Sequence, residues 1–257
     1  MDEHTRVCIV GKSSSLSGKK LGSVIDSHDL ITRINFKNSD HDESLHWQDV
    51  GKKTHHIVVH PKVLMHSIKH SLCDVIKNLE SLEDSDHGKK IFVPTYSKEY
   101  WDVDGDYPYK RHRFPTEQTN PNTKKEKDQC LRELWAICWD LGVTVEKQYY
   151  SEISKHIYVI ANYFYEGKLS YPHGLLTGTR TAIDYTEKYK KISVAGMGNE
   201  STYSHDLIHA TEDKNRYYGK TKPMDKNIRL EYDYFFLKQA INSRRIKRLD
   251  DESDNTI

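Results

Sequence analysis

The segment from Arg6 to Asn35 constrains this chain more than any other. An apolar run, Val7-Cys8-Ile9-Val10, is cut at Gly11 and followed by the small polar residues Ser13, Ser14 and Ser15. A short helical pattern comes next, then Asp26-Ser27-His28-Asp29, then a second β-forming run from Leu30 to Ile34 that ends at Asn35. A strand buried on both faces has no room for polar alternation, so continuous apolar runs of this kind belong to parallel α/β sheets. A strand that turns through glycine into a helix also aims backbone amides at whatever lies beyond its carboxyl end, and anions suit that position. The loop is neither G-x-G-x-x-G nor G-x-x-x-x-G-K-[ST], so it carries neither the dinucleotide nor the P-loop fingerprint.

The rest of the chain repeats the alternation. Strand-like runs occupy 6–10, 30–35, 55–60, 90–93 and 191–195, and helical patterns fill 61–82, 126–141, 152–165, 178–189 and 225–243. This order predicts an α/β fold with a mostly parallel central sheet and helices on both faces. Residues 96–127 are polar, with prolines and aromatics, and read as a long surface loop or lid. No internal repeat is present, so a single domain is expected over 1–244. Residues 245–257 read as a frayed helix end and a disordered, charged tail.

Composition narrows the function classes. A net charge of +1 over 257 residues supplies no field that would draw the chain onto nucleic acid or anionic lipid. The basic cluster at 244–248 is short and reads as a solvated helix end. No stretch approaches the roughly 20 apolar residues of a membrane span, and the N-terminus lacks the apolar core of a signal peptide. The expectation is a soluble, cytoplasmic protein with no nucleic-acid partner and no membrane span. The four cysteines, Cys8, Cys73, Cys130 and Cys138, show no C-x-x-C spacing and read as reduced thiols.

Three groups of residues have the chemistry of a site. Gly11, Ser13, Ser14, Ser15 and Asn35 fall at carboxyl ends of strands, where open α/β sheets hold ligands, and offer hydroxyls and amides to a phosphate or sugar. Thr177-Gly178-Thr179 opens a helix, with Thr177 as the expected N-cap and Gly178 giving an anion access to the first-turn amides. The segment 203–231 gathers His205, His209, Tyr217, Tyr218 and Glu231, with histidine the usual acid or base near neutral pH. No metal site is expected. There is no H-E-x-x-H and no paired Cys/His spacing, and the D-x-D at Asp102-Val103-Asp104 sits in the polar loop, not at a strand end.

These residues resemble the eukaryotic-type sialyltransferases, the CMP-sialic acid-dependent enzymes of glycosyltransferase family 29. The family's large motif reads here as Cys8-Ile9-Val10-Gly11-Lys12-Ser13-Ser14-Ser15-Leu16, then Gly22 through Asp26-Ser27-His28-Asp29 and Arg33 to Asn35, then Asp49-Val50-Gly51-Lys52-Lys53-Thr54-His55-His56. Leu176-Thr177-Gly178 matches the start of the small motif, and Ala195-Gly196-Met197 follows its strand at the family's spacing. Four positions depart. Lys12 stands where the family has Asn, and Tyr189 replaces the small-motif cysteine, which would leave Cys8 unpaired. Asn215-Arg216-Tyr217-Tyr218-Gly219 replaces the third motif with both histidines gone. Glu231 fits the end of the last motif, His-x4-Glu, but Lys226 occupies the position of its histidine, the family's general base.

The resemblance implies a single Rossmann-like domain of GT-A-type variant and a metal-independent inverting glycosyltransferase without cofactor. Its donor would be a CMP-activated sialic or related ulosonic acid, and its partner a glycan acceptor. Gly11, Lys12, Ser13, Ser14 and Asn35 would lie near ribose and phosphate, Thr177, Gly178 and Thr179 near cytidine and the donor carboxylate, with Tyr217 and Tyr218 beside them. His205, His209, Glu231 and Lys226 are the candidates for proton transfer. The alternatives are another CMP-sugar such as CMP-Kdo, or a degenerate nucleotide-binding or scaffold protein.

Overall fold

The computed structural model describes residues 2–36, 47–94, 121–148, 151, 153–154, 157, 175–197 and 223–250, with the backbone path alone at 14, 61–62, 121–128 and 223–232. Among these, seven strands form one sheet: β1 (Asp2–Val10), β2 (Leu30–Ile34), β3 (His56–Val58), β4 (Lys90–Pro94), β5 (Thr144–Gln148), β6 (Tyr189–Ala195) and β7 (Ile246–Arg248). Their order is β5-β4-β3-β2-β1-β6-β7, and every neighbouring pair runs parallel. The helices are α1 (Gly22–Asp26), α2 (Trp47–Val50), α3 (Pro61–His70), α4 (Leu72–Glu80), α5 (Pro121–Asp140), α6 (Thr177–Tyr185) and α7 (Pro223–Asn242), and a 3-10 turn (Ser14–Leu16) follows β1. The architecture is the expected α/β one, a Rossmann-like sheet wound in both directions from β1.

The continuous apolar runs are explained by their division between two cores. Val7 and Ile9 point to one face with Leu30, Ile34, Val58, Phe92, Ile192 and Val194, where Ala182 and Tyr185 of α6 and Ile241 of α7 cover them. Their neighbours Cys8, Val10 and Ile31 point to the other face, against Leu16 and Ile25. The register Arg33↔Ile57↔Ile91 continues that second face under α3, α4 and α5, where Leu64, Ile68, Val75, Leu79, Leu134 and Cys138 close the core. Each fully buried aliphatic contributes about 1.5–3 kcal/mol. Helices therefore cover both faces, and the strands between them tolerate no polar alternation.

The structure corrects several boundaries. The predicted helix 61–82 is two helices, because Ser71 leaves helical dihedrals (φ −149°, ψ 47°) and restarts the chain as the N-cap residue of α4. The predicted loop 96–127 ends early, since Pro121–Asp140 is helical; residues 95–120, with Asp102 and Asp104, lie outside the described residues. Of the predicted helix 152–165 only Ile153, Ser154 and Ile157 are described, and all are helical. Residues 246–248, read as part of a disordered tail, form β7 beside β6, with Arg248 and Asp250 buried. None of the four cysteines is bonded to another. Burial pushes the Cys8 and Cys138 thiols up to about 12. Among the described residues no helix is long and apolar enough to cross a membrane.

Candidate functional site

From β1 the chain winds outward through β2, β3 and β4 to β5, then returns to place β6 on the other side of β1. The carboxyl ends of β1 and β6 therefore border the switch point, where an open α/β sheet has its crevice. The two loops leaving these strands touch. Gly11 N–H donates to the Ala195 carbonyl (2.8 Å) and Ser13 N–H to the Gly196 carbonyl (2.9 Å). A Cβ on residue 11 would lie 2.2 Å from the Gly196 oxygen, so only glycine fits. Gly196 itself has φ +64°, which glycine adopts without steric cost.

The start of α6 comes to the same place. A Cβ on Gly178 would sit 2.7 Å from the Met197 sulfur and 3.7 Å from Ile34. The structure thus gathers Gly11, Lys12, Ser13, Asn35 and Gly178, which the sequence placed in one site. Asn35 holds a left-handed backbone (φ +62°) at the end of β2, a conformation Asn tolerates better than most side chains. Its Oδ1 accepts from His60 N–H (2.9 Å). The Lys12 ammonium, expected beside a phosphate, donates to the Phe36 carbonyl and closes the β1 loop onto the end of β2. Ser13 Oγ accepts from Ser15 N–H (3.2 Å), and Ser15 Oγ donates to the Asp250 carboxylate.

Thr177 is not the N-cap. Leu176 takes that position in extended geometry (φ −60°, ψ 149°), without a side-chain cap, and Thr177 is the first helical residue. The missing cap is replaced from α7. Asp233 Oδ1 accepts from Leu176 N–H (2.6 Å), and Oδ2 accepts from the Thr179 hydroxyl (2.7 Å). This carboxyl is 0% exposed, and burial pushes it up to about 7 against the opposing pull of both hydrogen bonds. Deeper in α6, buried Arg180 pairs with Asp184 (3.2 Å) and donates to the Gln148 carbonyl (2.7 Å), while Ser154 Oγ donates to Asp184 (2.6 Å). These bonds fix the helix whose N-terminus faces the crevice.

Most of the large motif's polar side chains knit the motif together. Asp26 accepts from Lys52 N–H (2.9 Å) and Lys53 N–H (3.0 Å). Arg33, buried on β2, donates to Thr54 Oγ1 (2.8 Å) and to the carbonyls of Val50 (3.0 Å), Gly51 (2.9 Å) and Lys53 (3.0 Å). His55 Nδ1 accepts from Ile31 N–H (2.9 Å), and burial lowers the ring's pKa. His28 Nδ1 faces the Val24 carbonyl (3.0 Å), which makes it a donor, while Nε2 meets the Ser193 hydroxyl (3.0 Å). Together these bonds tie α1, β2 and the 50–56 segment into one block.

The proton-transfer candidates are less completely placed. His205, His209, Tyr217 and Tyr218 lie outside the described residues, as do the side chains of Ser14, Lys226 and Glu231. Lys226 and Glu231 fall on α7, whose Asp233 grips the start of α6. The sequence reading missed Asp233, Arg248 and Asp250. Asp233 had a signal: it stands four residues before Leu237 and seven before Ala240, so an acid occupies the apolar stripe of α7. Among the described residues no three His, Cys, Asp or Glu side chains cluster as a metal site.

The family model described as glycosyltransferase family 29 (sialyltransferase) matches residues 1–94, the stretch from β1 through β4. Solved structures that match include a mammalian sialyltransferase in complex with Gal-beta-1-3GalNAc-ortho-nitrophenol, at 15% identity over 96% of this chain and 69% of that one, with a TM-score of 0.47. Another, a crystal structure of a mammalian sialyltransferase, matches at 16% identity with the same coverages and a TM-score of 0.48. Among curated proteins none matches the chain.

Proposed function

We propose that this chain is an inverting glycosyltransferase that moves a sialic acid, or a related ulosonic acid, from a CMP-sugar to a glycan hydroxyl without a metal ion. One observation carries the reading: the family match on residues 1–94 includes the loop after β1, whose Gly11 and Ser13 amides meet the end of β6 at the switch point. The acceptor oxygen attacks the anomeric carbon, the bond from that carbon to the phosphate oxygen breaks, and CMP leaves with the electron pair. A CMP-sugar carries a single phosphate, which backbone amides and the start of α6 suit without a divalent cation. The acceptor's proton goes to a base for which His205, His209 and Glu231 are the candidates. The free thiols accord with work in a reducing compartment.

A second reading has its own support. Lys226 stands at the position of the family's base, and an ammonium is a poor proton acceptor near neutrality, which favours nucleotide binding without transfer. Calorimetric titration with CMP and with UDP, each in EDTA, tests the donor reading; CMP-specific binding is expected. No CMP binding, or UDP binding that appears only when EDTA is replaced by a divalent cation, overturns it. Turnover of CMP-sialic acid with a panel of glycan acceptors separates transferase from binder.

A further inference from the structure

The crevice loops are held from behind by residues that belong to neither. β7 ends at Arg248, and Leu249 N–H donates to the Val194 carbonyl (2.9 Å), which carries the chain along the end of β6. Asp250 then turns inward and is 4% exposed. Its Oδ2 receives the Ser15 hydroxyl and Gly196 N–H (3.3 Å). Arg248, 5% exposed, donates from Nε to Oδ1 (3.2 Å) and from Nη2 to Oδ2 (3.4 Å). A carboxylate taken out of water needs charge compensation, and the adjacent guanidinium supplies it.

The consequence lies in what the second oxygen touches. Ser15 belongs to the loop after β1, and Gly196 to the loop after β6. These loops meet at the switch point through Ser13 N–H and the Gly196 carbonyl. One carboxylate thus bonds both banks of the crevice. We infer that Asp250, charge-balanced by Arg248, is a positioning residue that fixes the separation of the loops after β1 and β6. This deepens the donor-site reading above and rests on it. β7 then does more than lengthen the sheet: it delivers the clamp to the switch point.

Three variants test the clamp. Ser15→Ala cuts the tie to the β1 loop while leaving β7 and the Arg248–Asp250 pair in place. Asp250→Asn keeps the shape and removes the charge. Ile246→Val trims β7 burial without touching the clamp. Calorimetry with CMP in EDTA is expected to show affinity weakened about tenfold in Ser15→Ala and Asp250→Asn, and within about twofold of wild type in Ile246→Val. Hydrogen exchange of the 11–16 peptide is expected to quicken in the first two variants only. Unchanged exchange in Ser15→Ala, or wild-type CMP affinity in it, overturns the clamp. A wild-type chain that does not bind CMP overturns the donor reading, while quickened 11–16 exchange would still support the clamp as a structural tie.

Discussion

Replacing Asp233 with asparagine should change how stability depends on pH, in a direction the structure dictates. Burial raises this carboxyl from its ordinary 3.8 to about 7, so the folded chain holds a proton that the unfolded chain releases. Where the native state binds more protons, stability falls as pH rises. The full benefit is therefore present below about pH 4 and is lost as pH climbs through about 7. Three pH units at about 1.4 kcal/mol each give a loss of ~4 kcal/mol between those limits. His56 works in the opposite sense. Buried edge-on against Phe92 at 5.3 Å, it is lowered by burial to about 3, and it adds stability as pH rises from 3 to 6.5. It is common to wild type and variant, so it cancels in their difference. The asparagine amide keeps an acceptor for one of the two donors, and the substitution costs about 1 kcal/mol at low pH. Urea unfolding at intervals from about pH 4.5 to 8 should show the wild-type advantage shrinking and then reversing by several kcal/mol. Parallel profiles for the two proteins would refute the argument, since they would mean that Asp233 titrates alike in the folded and unfolded chains.

Three other perturbations follow from the same geometry. Gly11→Ala forces a Cβ to within 2.2 Å of the Gly196 oxygen, and the loops must part at a cost of about 2–3 kcal/mol in urea unfolding; a loss under about 0.5 would show the junction is loose. Arg33→Met leaves the carbonyls of Val50, Gly51 and Lys53 without their shared donor, costing at least about 3 kcal/mol and opening the 50–54 segment to proteolysis; a protease-resistant variant would contradict the role given to Arg33. Ellman's reagent should titrate one thiol, the exposed Cys73, in the native chain and four in urea; rapid reaction of a second native thiol would argue against the burial of Cys8, Cys130 and Cys138.

The central strands were legible because their apolar runs have no polar alternation to mislead. β5 and β7 were not, for a physical reason common to edges. In β5 only Gln148 is buried, and Thr144 and Lys147 face solvent. β7 rests on Ile246 and on Arg248, a charged residue whose burial is balanced by Asp250 two residues away. Nothing local distinguishes that pair from a solvated tail. The motif residues were legible as a set, but their work was not. Asp26, Arg33 and His55 satisfy one another's backbone neighbours, whereas a polar residue in a loop reads the same whether its partner is a ligand or another stretch of chain.

That distinction bears on what the crevice can offer a donor. Ser15 is committed to Asp250, Thr179 to Asp233, Thr181 to the Thr177 carbonyl (2.7 Å), and Asn35 Oδ1 to His60. Ser13 accepts from Ser15 N–H and keeps its hydroxyl proton to donate. The Gly11, Ser13 and Ser15 amides are engaged at the loop junction, and the first-turn amides of α6 add donors that carry no side chain to delete. Anion recognition of this kind is set by backbone placement, so the side chains that matter most are those holding the backbone. Ser13→Ala should accordingly weaken CMP binding less than Gly11→Ala, even though Ser13 offers a hydroxyl and Gly11 offers none. The comparison is made by calorimetry on both variants, at a temperature where each is fully folded. If Ser13→Ala proves the more damaging, the hydroxyl itself contacts the ligand, and the crevice recognises its anion by side chains rather than by the path of its loops.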